Sequence, residues 1–360
     1  MINIDIHLPR KNFNVVVQEK FSEGITGIFG PSGSGKTSLL QCISGLARPK
    51  EGYISVGGRI LFDSVKNINI PVSERNVGYV FQEGRLFPHM SVEKNLRYGI
   101  KKQAIGKISY EEVIDLLGLR HILKSKPHQI SGGERQRTAL GRTLLSSPDI
   151  LLLDEPFSAV DMSLRSQILP FIIRIQKLIQ IPMLVVSHDI PDLLKLTNRL
   201  CIIKNGSCIG HGEYYDLLKD PSVSNIFGSG SIVNSIDMRV LHTNPQSRLT
   251  IVGWKQDGQE ILITCDKSKG DYKEGQKLKI FIDADDIALS TEKTNNISIQ
   301  NQVYGTVTDI IPKGATLLVV IDAGFKLVVE ITLDSLSRMG IGTGSKIWCL
   351  FKSVAIDVAG

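Results

Sequence analysis

The stretch GITGIFGPSGSGKTSLLQCISG, Gly24–Gly45, decides the fold. A short apolar run broken by glycines leads into a Gly-rich turn. Apolar residues at helical spacing then run on to a terminating glycine, so the segment reads strand, turn, helix. Within it, Gly30–Thr37 (GPSGSGKT) fits the phosphate-loop pattern GxxxxGK[ST] in the setting that pattern requires. Glycines let backbone N–H groups wrap phosphate oxygens without interference from Cβ atoms. Lys36 adds a positive charge, the Thr37 hydroxyl is placed to ligate Mg²⁺, and the helix opening at Lys36 adds its positive dipole end. Gly30, Pro31, Ser32, Gly33, Ser34, Gly35, Lys36 and Thr37 are therefore the candidate nucleotide-binding residues.

Outward from this loop, RNVGYVFQ (Arg75–Gln82), DILLLDEP (Asp149–Pro156) and IPMLVVSHD (Ile181–Asp189) are short apolar runs suited to strands buried on both faces of a parallel sheet. The second ends in two adjacent carboxylates. Asp154 suits the shell of a Mg²⁺ ion, and Glu155 suits a general base acting on a water molecule. From Glu83 to Pro127 helical patterning replaces the strand signal, which predicts a helical insert in an α/β core. A second Gly-rich helix start, ISGGERQRTALGRTLL (Ile130–Leu145), could serve another anion through Ser131, Gly132 and Gly133. Ser131 with Glu134 three residues on is equally a capping box, and one geometry serves both purposes.

At 360 residues the chain is long enough for two domains, and 42% hydrophobic with 22% charged residues is a globular balance. The net charge of +6 comes without a dense Lys/Arg run, so nucleic acid is not an expected partner. Five scattered cysteines without CxxC spacing fit a reducing compartment. MINIDIHLPRKNF has no basic stretch followed by an apolar run, and no window approaches the ~20 apolar residues of a membrane span. Neither a signal peptide nor a transmembrane helix is expected. After FGSGSIVNS (Phe227–Ser235), a Gly/Ser linker, the pattern alternates like β structure. GATLLVVIDAGFKLVVEIT (Gly314–Thr332) reads as two strands about a turn. GQKLKIFIDADDIAL (Gly275–Leu289) is faintly echoed by GSKIWCLFKSVAI (Gly344–Ile356), as related halves of one small barrel would be.

These motifs together resemble the nucleotide-binding subunits of ABC transporters over roughly residues 1–229. ISGGERQR resembles the family's signature, VFQEGRLFPH its Q-loop, SAVD (Ser158–Asp161) its D-loop and VSHD its switch histidine, all in the family's order. Ile130, Glu134 and Val160 stand where Leu, Gln and Leu are usual. The resemblance implies a P-loop NTPase (RecA-like) α/β core with a helical subdomain at about 84–145. It also implies ATP and Mg²⁺, with each nucleotide held between the phosphate loop of one copy and Ser131, Gly132, Gly133 and Asp161 of another. Glu155, His188 and Gln82 are the implied catalytic residues. Thr37, Gln82 and Asp154 are the implied Mg²⁺ contacts, with Gln82 also relaying nucleotide state to the helical insert. Phe13 is a candidate for stacking on adenine, although a core Phe reads equally well.

Residues 298–358 resemble the molybdate-binding domain carried by molybdate importer ATPases, within a C-terminal domain at 230–360 expected as a small antiparallel β-barrel (OB-like). The matching positions are Ser298, Asn301, Gly305, Thr332, Ser335, Lys352 and Ser353, and hydroxyls, amides and one cation suit a tetrahedral oxyanion. SIQN lacks the Arg that many relatives carry before the Asn. The alternative is a barrel that only clamps two ATPase subunits. The resemblance implies a homodimer docked on two transmembrane permease subunits, with Glu83–Gly99 toward them, at the cytoplasmic face of the inner membrane. An extracytoplasmic oxyanion-binding protein would act indirectly. An importer of sulfate, iron or sugar, or a soluble non-transport ABC ATPase, are the competing expectations.

Overall fold

The computed structural model describes residues 1–11, 13–100, 108–157, 162–227, 232–244, 249–253, 260–264 and 272–359. The expected D-loop at 158–161, with Asp161, lies outside them, as do the linker residues 228–231. The chain divides into two compact units, Met1–Glu213 and Tyr214–Gly360.

The first unit is built on one eleven-stranded mixed sheet. At its heart five parallel strands lie in the order Arg199–Lys204, Ile25–Phe29, Met183–Val186, Ile150–Asp154 and Val77–Val80. Every residue of Ile150–Leu153 and of Met183–Val186 is buried, as uninterrupted apolar strands covered on both faces must be. Beyond Arg199–Lys204 the sheet continues through Ser207–Glu213 and Asn14–Phe21 to Ile68–Asn69, with every pairing antiparallel except that of Ser207–Glu213 with Asn14–Phe21. The helix Lys36–Ser44 packs Leu39, Leu40 and Ile43 into a core shared with Ile28, Ile150, Leu152 and Leu184. Its C-terminal end is fastened by Arg75, 2% exposed, whose guanidinium donates to the Cys42 and Ile43 carbonyls at 2.8 and 2.9 Å. Further bonds to the Ile70 carbonyl and Asn69 Oδ1 bring four of the five guanidinium N–H donors into hydrogen bonds.

Between Val80 and Ile150 the described elements are all helical: Val92–Tyr98, Tyr110–Leu117, Gly132–Leu145 and short 3₁₀ turns. Gly141 lets three helices meet. A Cβ there would lie 2.8 Å from Leu96, 3.0 Å from Leu117 and 3.1 Å from Val113.

The second unit holds two five-stranded antiparallel sheets over a single core, in which Ile236, Val252 and Ile280 of one sheet meet Val303, Val319 and Leu327 of the other. The predicted hairpin is present as Thr316–Asp322 paired with Lys326–Thr332. The sequence echo has a structural counterpart. Lys277–Asp283 and Lys346–Phe351 are each followed by a 3₁₀ turn and a three-residue strand. Ala288–Ser290 then pairs with Lys346–Phe351, and Asp357–Ala359 with Lys277–Asp283, so each half gives its last strand to the other's sheet.

The unit boundary falls ahead of the expected one at 229/230. Tyr214 is fully buried and accepts from the Val233 amide, and the Tyr215 hydroxyl accepts from the Ser235 amide and donates to its carbonyl. Those bonds draw Tyr214–Phe227 into the β unit. Asn234, read with the linker, lies in the strand Val233–Asn244 and is completely buried. Its side chain donates to the Ile282 and Val328 carbonyls and accepts from the Val328 amide, stitching the two sheets together. The described cysteines are free thiols, yet Cys201 and Cys208 face each other at 3.4 Å, a proximity their spacing did not announce.

Candidate functional site

The phosphate loop follows strand Ile25–Phe29 directly, and neighbouring backbone shapes it. A Cβ at Gly30 would lie 2.0 Å from the Ile203 carbonyl oxygen, so only glycine fits beneath the hairpin Arg199–Glu213. The Gly206 amide of that hairpin donates to the Ser34 carbonyl at 2.8 Å. Gly35 caps the helix with φ of 106°, a conformation open to glycine. Phe13 lies beside the loop's end, 3.3 Å from where a Gly35 Cβ would stand, half-buried against the core. Lys36 folds its ammonium back to donate to the Gly30 and Pro31 carbonyls, both at 2.8 Å, and burial lowers its pKa against the opposing pull of Glu155 and Asp154. Ser34 Oγ is buried with no hydrogen-bond partner among the described residues. A turn of this shape, with a retained cation and an orphaned hydroxyl, fits a polyphosphate.

Asp154 ends the strand adjacent to Met183–Val186 and is 7% exposed. Thr37 Oγ1 donates to its Oδ1 at 3.0 Å, and the Tyr79 hydroxyl donates to its Oδ2 at 2.7 Å. Burial raises the Asp154 pKa, while those two hydrogen bonds oppose the rise. Sequence reasoning passed over Tyr79. The register supplies the missing signal, because Tyr79 is the partner of Leu152 and strand alternation puts Leu152 and Asp154 on one face. The hydroxyl and carboxylate of Thr37 and Asp154 are hard oxygen donors of the kind Mg²⁺ takes, so the residues present fit that ion.

Glu155 adopts φ of 47°, which turns the chain sharply at the strand end. Its amide donates to the Val186 carbonyl, and its Oε2 lies 3.4 Å from His188 Nδ1. The adjacent carboxylates thus face different neighbours: Asp154 the phosphate loop, Glu155 the histidine. Gln82 is exposed in the turn that follows Val77–Val80, one strand over from Asp154 and at the same C-terminal edge. No contact joins it to Asp154 or Glu155 among the described hydrogen bonds.

The capping box at the second Gly-rich start is present. Ser131 Oγ accepts from the Glu134 amide at 3.2 Å, and Glu134 Oε2 accepts from the Ser131 amide at 2.8 Å. His121 Nε2 lies 3.0 Å from the other Glu134 oxygen, and these bonds, the backbone one first, hold the carboxyl below its usual range once burial is offset. Ser131 is exposed, Gly132 half-buried and Gly133 buried. Among the described residues no hydrogen bond joins Ser131–Gly133 to Gly30–Thr37.

The six tail candidates separate within one chain. Asn301, 1% exposed, pairs with Phe351, which brings it near Lys352 and Ser353, and Ser353 Oγ donates to Gln300 Oε1 at 3.3 Å. Exposed Ser298 precedes this group. Thr332 and Ser335 instead cap the helix Leu333–Met339, with their hydroxyls 3.0 Å apart. Thr332 pairs with Thr316, and Thr316 with Lys313, at the far end of the strand that Asn301 begins. Within the chain these positions form two groups, because the long strand Asn301–Lys313 runs between them.

A phosphate loop and an acidic strand end on one mixed sheet, with a helical insert that opens a helix at Ser-Gly-Gly, define an ATPase of the ATP-binding cassette class. The ABC transporter family model matches residues 13–158, and the TOBE domain model matches residues 297–358. The molybdenum import ATP-binding protein ModC of Paramagnetospirillum magneticum is 34% identical, over 100% of this chain and 99% of its own length. ModC 1 of Azotobacter vinelandii is 35% identical over 99% of this chain and 94% of its own. The dimeric post-hydrolysis structure of the ATP-binding cassette MJ0796 bound to ADP and Pi aligns with TM-score 0.51 and 25% identity, covering 59% of this chain and 99% of that one. The chain belongs to the family of molybdenum import ATP-binding proteins.

Proposed function

We propose that this chain is the ATP-hydrolysing subunit of an importer for molybdate, working as a pair of copies on a membrane-embedded permease. The observation that carries the reading is Thr37 and Asp154 in hydrogen-bond contact beneath the phosphate loop, with Glu155 and His188 beside them. Full-length similarity to molybdenum import ATP-binding proteins supports the substrate. No helix among the described residues is long and apolar enough to cross a membrane.

In this reading the loop amides and Lys36 hold the β- and γ-phosphates, and Thr37, Asp154 and Gln82 would hold Mg²⁺, which would supply positive charge against the phosphates. Glu155 polarises the attacking water as general base, and His188 hydrogen-bonds the γ-phosphate and Glu155. Ser131, Gly132 and Gly133 meet the γ-phosphate of the partner copy. The absence of any hydrogen bond from them to the chain's own loop, among the described residues, agrees with a site split between two chains. ATP then closes the pair, and hydrolysis releases it. In the tail, the group around Asn301 and the group at Thr332 act as two separate anion contacts.

The test is molybdenum uptake. Cells whose only copy carries Glu155→Gln should accumulate far less molybdenum than wild type at limiting molybdate, with sulfate uptake unchanged. Normal molybdenum content with impaired sulfate uptake would transfer the assignment to the sulfate alternative.

A further inference from the structure

We propose that Tyr79 is a positioning residue for the metal site, its hydroxyl fixing the Asp154 carboxylate and linking that carboxylate to the strand that leads to Gln82. The inference rests on the reading of Asp154 as a Mg²⁺ ligand.

Three observations carry it. Both Asp154 oxygens have partners of different kinds: Thr37 on Oδ1 at 3.0 Å, and Tyr79 on Oδ2 at 2.7 Å. Thr37 is itself a metal-ligand candidate, so its hydroxyl would be shared between Oδ1 and a bound ion. The Tyr79 bond does not compete, because the phenol is only a donor to Oδ2. A carboxylate held by one oxygen presents the other in a fixed direction, which is how partners outside the coordination shell tune a metal site. Second, the phenol is anchored. Tyr79 packs against the core that contains Leu39, Leu40 and Leu152, and its ring lies 4.4 Å from that of Phe81, which in turn lies under the Arg85 guanidinium. Third, Val77–Val80 runs directly into the turn holding Gln82. A displacement of Asp154 therefore reaches the Gln82 turn through one hydrogen bond and three residues.

The experiment is calorimetric titration of the full chain with ATP, once in excess Mg²⁺ and once in EDTA, for wild type and Tyr79→Phe. The ratio of the two dissociation constants isolates the metal's share of binding. Tyr79→Phe should leave the EDTA value within about twofold of wild type and reduce the ratio by about tenfold, the lower end of what such partners contribute. The Mg²⁺ concentration that half-activates ATP turnover should rise by a similar factor, and saturating Mg²⁺ should restore the rate. In an Asp154→Asn background the same Tyr79→Phe change should have no further effect on the ratio. A Tyr79→Phe ratio equal to wild type would overturn the proposal. So would equal weakening with and without metal, which would reduce Tyr79 to a packing role. A wild-type chain that binds ATP identically with and without Mg²⁺ would instead remove the underlying reading of Asp154.

Discussion

Asp154 is a carboxylate at 7% exposure with a hydroxyl on each oxygen, and burial raises its pKa by more than those two bonds lower it. The folded-state pKa is raised, so the stability this group contributes is present at acid pH and lost as pH rises through the folded value. Asp154→Asn removes the charge and should be more stable than wild type at neutral pH without nucleotide or metal, by a few degrees in Tm. The difference should shrink as pH falls into the ordinary carboxylate range. Thermal melts across pH check this, and a variant melting below wild type at neutral pH would contradict it. At this scale the site was largely legible. His188 was reached through the family resemblance, whereas Gly30–Thr37, Asp154 and Glu155 announce themselves by type and local order. Tyr79 and the Ile203 carbonyl above Gly30 did not, because both act from strands brought alongside by crossovers rather than by sequence proximity.

Elements show why the second Gly-rich stretch reads two ways. The helix Gly132–Leu145 begins with a complete capping box, and an exposed Ser131 oxygen lies at the positive end of fourteen residues of aligned peptide dipoles. The two roles separate by substitution. Ser131→Ala loses the cap and should cost about 1 kcal/mol of stability. Ser131→Arg places bulk and charge at the helix start and should abolish ATP-driven pairing while a single chain still binds nucleotide. Sedimentation with and without ATP distinguishes them, and loss of nucleotide binding by the Arg variant would count against a shared site. Apolar runs such as Ile150–Leu153 were readable as strands because full burial leaves no polar alternation. Asn234 was misread because a buried amide that joins two sheets looks, in sequence, like any linker asparagine.

At the scale of the whole molecule, the two units follow different rules. Met1–Glu213 is a mixed sheet, and the phosphate loop and apolar runs foretold strands of its parallel part but not the antiparallel strands beside them. Tyr214–Gly360 is two sheets that exchange their final strands, an arrangement hinted at by the echo between Gly275–Leu289 and Gly344–Ile356. Its boundary was harder to place, since Tyr214 and Tyr215 join the β unit through hydroxyl bonds to Val233 and Ser235 that no local pattern advertises. The division of the proposed oxyanion residues into two groups has the same origin. Motif order puts Asn301 and Thr332 in one pattern, and a thirteen-residue strand sets them at opposite ends of a sheet.

Whether ATP is bound between two copies and hydrolysed through Glu155 is decided by sedimentation velocity of Glu155→Gln with ATP and Mg²⁺. ATP should convert the variant to a long-lived dimer with no measurable turnover, while ADP should not. A variant that remains a monomer in saturating ATP, or that hydrolyses ATP at the wild-type rate, would contradict the proposed mechanism.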